Sequence, residues 1–175
     1  MGCIKLPEAA KLIVAMLARQ DASLDAAAAR LATVHGPVDY ASPLLPFDVS
    51  SYYAAEMGPG LRRQFIAFAH LIQPDELPAI KLEAIALEVA FAVDGRRTVN
   101  LDPGYLCAGK LVLATTKNQQ HRLYLGQGIY GEVALRFRAA AWQPWEWTYP
   151  DYRLPDYARV FADIRRLYMR QRDTG

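Results

Sequence analysis

Lys11–Arg19 reads KLIVAMLAR, seven apolar residues from Leu12 to Ala18 with a cation at either end. A run this short and continuous, rich in Leu, Ile and Val, has the character of a strand buried on both faces. We read it as the first and central strand of a sheet. The other segments must then pair with it or pack on it.

Ser23 stands where it can cap a helix whose apolar positions, Leu24, Ala27, Ala28, Leu31 and Val34, recur at helical spacing, and Gly36-Pro37 ends that helix. Val38–Ser42 then reads as a second strand. Leu61–Ile72 is a third, with Phe65, Ala67, Ala69 and Leu71 on one face. Pro74 opens a second helix that Leu77, Ile80, Ile85, Leu87, Val89 and Phe91 carry to Asp94-Gly95, and Arg97–Leu101 returns as a fourth strand. The order strand, helix, strand, strand, helix, strand is that of a ferredoxin-like βαββαβ core: an antiparallel sheet with both helices on one face, in the α+β class. Between the second and third strands, Pro43–Gly60 carries Pro43, Pro46 and Pro59 and reads as a long irregular excursion. Phe47, Tyr52, Tyr53, Glu56 and Met57 inside it must be placed either at a site or over a gap in the core.

Beyond residue 101 the pattern changes to a β-rich extension. His121–Leu125 and Ile129–Arg138 form an antiparallel hairpin around Gly126-Gln127-Gly128. A three-residue loop pairs Leu125 with Ile129, Tyr124 with Tyr130 and Arg122 with Glu132, leaving Leu123, Leu125, Ile129, Val133 and Leu135 on an apolar face. In Trp142–Tyr152, Trp145, Trp147 and Tyr149 alternate onto one face between Pro144 and Pro150, which reads as an aromatic edge strand. Asp156 then caps a terminal helix with Tyr157, Phe161, Ile164, Leu167 and Tyr168 inward. Gly109–Lys117 suits helix and strand equally. The expectation is a single domain over 1–175, with 1–101 as the core and 102–175 as the extension and helix.

Composition bounds the rest. A chain of 175 residues, 53% hydrophobic and 22% charged, has the make-up of an ordinary globular domain. Its net charge of +2 is unevenly spread: basic and acidic residues number 7 and 11 over 1–94, 8 and 4 over 95–153, and 5 and 3 over 154–175. An anionic ligand is therefore drawn to the second half. Cys3 and Cys107 share no metal or disulfide spacing, and His35, His70 and His121 lie far apart, so no metal is expected and a cytoplasmic location is. Seven apolar residues cannot span a bilayer, and the flanks of that run do not suit a signal peptide, so no membrane partner is expected.

The candidate chemistry gathers between Val99 and Val133. Asn100 and Asp102 project from one face of the fourth strand, opposite Val99 and Leu101, and Asp102-Pro103-Gly104 reads as a turn at the strand's end. Lys110, Thr115, Thr116, Lys117, His121 and Arg122 form a basic cluster whose Thr-Thr-Lys end resembles an anion-holding turn, without the glycines of a P-loop. Asp102, Glu132 and His121 are candidate acid/base groups, while Asn100, Lys110, Thr115, Thr116, Lys117, Arg122, Tyr124 and Tyr130 are candidate ligand contacts. Each has a plain alternative: Asp102 serves its own turn, Glu132 balances Arg122, His121 is buried and hydrogen-bonded. Trp145, Trp147, Tyr149 and Tyr152 form either a base-stacking platform or a core or subunit interface. The segment Tyr149–Arg153 is also polar enough to reach Asp102.

The blocks VNLDPGYL (99–106), KLVLATTK (110–117), HRLYL (121–125), GIYGEV (128–133) and PWEWTYPDYR (144–153), with PVDYASPLLPF and YYAAEMG upstream, resemble a bacterial family catalogued as domain of unknown function 4416. The resemblance covers nearly the whole chain. It implies a standalone cytoplasmic protein and no particular activity or cofactor; Gly131 stands where that family carries alanine. The residues favour recognition of a small anionic metabolite, a nucleotide or phosphate ester, with acid/base chemistry left open. The alternative is a non-catalytic interaction module that forms a homodimer or binds RNA.

Overall fold

A computed structural model of the chain describes residues 2–48 and 52–174. Along them run β1 (Ala10–Ala18), α1 (Asp21–His35), β2 (Val38–Ala41), β3 (Leu45–Pro46), α2 (Ala54–Met57), β4 (Arg62–Ile72), α3 (Leu77–Ala90), β5 (Val99–Leu106), β6 (Lys110–Thr115), β7 (Leu123–Gly126), β8 (Ile129–Arg138), β9 (Ala141–Pro144) and α4 (Pro155–Thr174). The strands join one open antiparallel sheet in the order β2-β4-β1-β5-β6-β8-β7, with β3 added to β4 and β9 to β8.

Every residue of β1 is buried, as its apolar run demands. It pairs with β4 on one side and β5 on the other. Its alternate side chains enter two cores: Leu12, Val14 and Met16 meet α1 and α3, while Ile13 and Ala15 join the cluster under α4. The α+β expectation holds. The order β2-β4-β1-β5 and the shared face of α1 and α3 are compatible with the split βαβ pattern, but the sheet runs on through β6, β8 and β7. The second face is closed by α4, whose Tyr157, Phe161, Ile164 and Tyr168 are buried.

Several local expectations are corrected. α1 begins at Asp21 with Gln20 at its N-cap and no side-chain cap, so Ser23 lies in the first turn. Likewise α4 starts at Pro155, which places Asp156 inside the helix, paired with Arg159 at 2.8 Å. Gly109–Lys117 contains the strand β6. Within the Pro43–Gly60 excursion, β3 and α2 are the regular pieces, and residues 49–51 lie outside the described residues. In the hairpin, Tyr124 pairs with Tyr130 as expected, but Leu125 is bulged out and Gly126 faces Ile129. The turn is thus the two residues Gln127 and Gly128, at φ 54° and 78°. β7 ends the sheet, so Leu123 is 76% exposed rather than part of an apolar face.

The aromatic strand is also shorter than its pattern implies. β9 stops at Pro144, and Thr148 folds the chain back by accepting from the Trp145 N–H at 2.8 Å and donating to the Ala134 carbonyl at 2.6 Å. Trp145 and Trp147 stack at 5.1 Å instead of alternating across a strand.

Candidate functional site

β5 and β6 are paired only from Gly104↔Leu113 to Leu106↔Leu111. Away from that ladder β5 continues to Val99 beside β1, and β6 continues to Thr115 beside β8. The two strands therefore part and leave a wedge in the sheet. The Leu101 peptide faces this wedge with no strand beside it, and a buried peptide group needs partners. Two side chains of α3 supply them: Lys81 Nζ donates to the Leu101 carbonyl at 2.8 Å, and Glu88 Oε1 accepts from the Leu101 N–H at 2.6 Å. The wedge also accounts for Pro103 inside a strand. Its nitrogen lies on the same side as that of Leu101, where β6 makes no pair. Asp102-Pro103-Gly104 is thus strand, not the expected turn.

A cavity of about 600 Å³ occupies the wedge. Its floor comes from Arg63 on β4, Asn100 and Asp102 on β5, and Asp151 and Tyr152 beyond β9; Lys81, Glu88 and Arg97 close one side. Thr115, Thr116 and Lys117 form an exposed rim at the end of β6, facing Tyr52 of the Pro43–Gly60 excursion. Lys117 Nζ is 3.2 Å from the Tyr52 hydroxyl and 4.4 Å from the centre of its ring. Phe47 and Tyr53 line the cavity too, while Phe47 and Met57 pack with Leu17 and Leu61 in a small core of their own. The excursion therefore does both things its composition allowed.

Charges alternate along the walls. Asp102 stands 3.3 Å from Lys81 and 3.7 Å from Arg63, and accepts from Asn100 Nδ2 at 2.7 Å. Arg63 meets Asp151 at 3.3 Å. Arg97 grips Glu56 with two nitrogens at 2.9 and 2.6 Å, donates to Asn100 Oδ1 at 2.8 Å and lies 3.7 Å from Glu88. Burial alone would raise the Asp102 carboxyl, but Lys81 and Arg63, with the Lys81 and Asn100 hydrogen bonds, hold it below its ordinary value. At Glu88 burial wins over the Leu101 N–H and Lys81, and the pKa is raised. Burial likewise raises Asp151 against the pull of Arg63, and keeps the hydroxyls of Tyr53, Tyr149 and Tyr152 protonated.

Of the residues singled out in the sequence, Asn100, Asp102, Thr115, Thr116 and Lys117 meet in this cavity. The others do not line it. Lys110 is at the far end of β6, opposite Arg136. Tyr124 and Tyr130 pair on the outer hairpin, their rings 5.3 Å apart. Glu132 and His121 touch at 3.2 Å, but behind the cavity wall rather than beside Asp102. Arg122 binds Glu132 at 2.7 Å and reaches the wall indirectly, donating to the Lys117 carbonyl at 3.0 Å and the Tyr149 hydroxyl at 2.7 Å. The stacking platform does not form either: Arg136, Trp145, Trp147 and His121 lie in one pile, so both faces of each indole are occupied.

Arg63, Lys81, Glu88 and Arg97 were not among the candidates, although the sequence carries a trace of three. Leu77, Lys81, Ala84 and Glu88 recur at helical spacing on one buried face, and Arg63 shares the strand face of Phe65 and Ala67. Charges at core-facing positions mark a site or an internal ion pair.

The chain belongs to the family described as Domain of unknown function (DUF4416), whose model matches residues 8–168. No curated protein and no solved structure matches it. Among the described residues, no helix is long and apolar enough to cross a membrane.

Proposed function

We propose that this member of the Domain of unknown function (DUF4416) family binds a small anionic metabolite, a nucleotide or phosphate ester, in the wedge between β5 and β6. One observation carries the reading. Among the described residues, Lys117 is the cavity's cation with no carboxylate partner, and it stands at the open rim beside the Thr116 hydroxyl. Arg63, Lys81 and Arg97 are each held by acids, so a phosphate arriving from solvent meets its uncompensated charge at Lys117. Tyr52 and Tyr53 give the rest of such a ligand aromatic surface. The volume is within the range of small-molecule sites, about 300–1,000 Å³.

A thermal-shift panel of nucleotides and sugar phosphates tests this. A binder at about 100 times its Kd adds about 2.7 kcal/mol of stability, a readily measured rise in Tm. That rise is lost in Lys117→Ala. A panel with no stabilising compound, or stabilisation undiminished in Lys117→Ala, sinks the reading.

A second reading rests on β7. This edge strand leaves its outer hydrogen-bonding side unpaired and exposes Leu123, Tyr124 and Leu125. It favours self-association there rather than through the aromatic segment. Light scattering after size exclusion reads the mass directly, and a dimer that survives Leu123→Lys contradicts this interface.

A further inference from the structure

The cavity floor, unlike its rim, holds buried donors without partners. Arg63 is 3% exposed, and among the described residues its Nε and Nη1 have no hydrogen-bond acceptor, Nη1 lying 3.7 Å from Asp102; the buried Tyr152 hydroxyl has no hydrogen-bond partner there either. Tyr149 on the cavity wall can add a donor. Its oxygen accepts from Arg122, and a guanidinium only donates, so the phenol hydrogen is left for solvent or a ligand. The acceptors of Asp102 and Asn100, by contrast, are engaged. Asp102 spends one oxygen on Lys81 and the other on Asn100, and the Asn100 oxygen is taken by Arg97.

Charge narrows the choice of acceptor. Arg63 and Lys81 face Asp102 and Asp151, which leaves the floor near neutrality. A second phosphate there would bury unpaired negative charge, whereas an uncharged carbonyl oxygen satisfies the donors without that penalty. Aromatic side chains, Phe47, Tyr53 and Tyr152, are part of the cavity lining.

Building on the reading of Lys117 as the phosphate contact, we propose that the floor is a base pocket for a nucleotide whose ring carries an exocyclic carbonyl, bound by Arg63, Tyr149 and Tyr152. An amino group at the same ring position would face the Arg63 guanidinium, which can only donate, so oxo-bases are selected over adenine.

Inosine 5′-monophosphate and adenosine 5′-monophosphate, which present a carbonyl beside N1–H or an amine beside a bare N1 on the same ring edge, are the probes, with ribose 5-phosphate reporting the rim alone. Calorimetric titration of the full chain is expected to show the inosine nucleotide binding about tenfold or more tightly than the adenosine one. Tyr152→Phe, which removes only a hydroxyl, is expected to weaken the inosine nucleotide several-fold while ribose 5-phosphate binds as before. Tyr149→Phe gives the same readout should Tyr152→Phe fold poorly. Equal affinity for the two nucleotides, preference for the adenosine form, or inosine-nucleotide binding untouched by both variants overturns the base pocket even if ribose 5-phosphate binds. If none of the three binds, the phosphate reading of the rim falls and the base pocket falls with it.

Discussion

Arg122 Nε and Glu132 Oε2 meet at 2.7 Å with their side chains only 2% and 1% exposed. The hairpin pattern makes them facing partners on a polar surface. In the fold they are a sealed ion pair just outside β7, and the same guanidinium ties the hairpin to the Lys117 carbonyl and to Tyr149. The pair thus holds the rim and one wall of the cavity in register without touching its contents.

Removing Arg122 leaves the Glu132 carboxylate buried with only the His121 ring, 3.2 Å away, beside it. Arg122→Ala should cost about 3–5 kcal/mol in urea unfolding, and Arg122→Met combined with Glu132→Leu should recover most of it. A loss below about 1 kcal/mol for the single change would show that the pair is not a structural tie.

Stability should depend on pH in opposite senses at two acids of the wedge. Folded Glu88 keeps its proton above its ordinary 4.5, so its contribution is complete below that pH and is lost as pH rises through the folded value. Glu88→Gln should flatten the upper limb of the stability curve and be no less stable than the parent at neutral pH. Asp102 is held below its ordinary 3.8, so its contribution is present above that pH and is lost as pH falls through the depressed value. Asp102→Asn should therefore lose most at neutral pH. Urea melts across the acid-to-neutral range separate the two, and parallel curves would contradict both.

The Leu101 amide has no strand partner, yet Glu88 takes its hydrogen at 2.6 Å. Hydrogen exchange at Leu101 should be as slow as at its paired neighbours in β5, and Glu88→Ala should speed it by about tenfold or more, the loss of roughly one hydrogen bond's protection. Fast exchange in the parent chain would count against this bond.

Two glycines should respond differently to alanine. A Cβ at Gly104 would lie 2.3 Å from the Val112 carbonyl oxygen, a backbone atom in the short β5–β6 ladder that cannot retreat. A Cβ at Gly131 would meet the tip of Leu125, a bulged and partly exposed side chain free to turn away. Thermal melts should show Gly104→Ala losing several kcal/mol by overpacking and Gly131→Ala neutral or up to about 1 kcal/mol more stable, as strand glycines usually are on replacement.

Much of the architecture is local and was legible. The run Leu12–Ala18 is apolar on both faces, which only a central strand can use, and it identified β1. The spacings of α1, α3 and α4 and the Tyr124–Tyr130 pairing likewise follow from short-range periodicity. So did the grouping of Asn100 and Asp102 on one strand face and the anion-compatible end of β6. Legibility ended where an outcome depended on the limits of strand pairing. Pro103 and Gly104 look like a turn until β1 is alongside them, and Leu123 and Leu125 look like core until β7 proves to be the last strand.

The cavity itself was decided only by tertiary structure. It exists because β5 and β6 separate beyond Gly104, and because α3 brings Lys81 and Glu88 to the backbone that the separation exposes. Neither event has a signature within any one segment, since each is set by groups that share the site across long stretches of chain. The sequence determined which residues could carry charge there; the fold determined that Arg63, Asp102 and Lys117 line one space while Arg122 and Glu132 stand behind it.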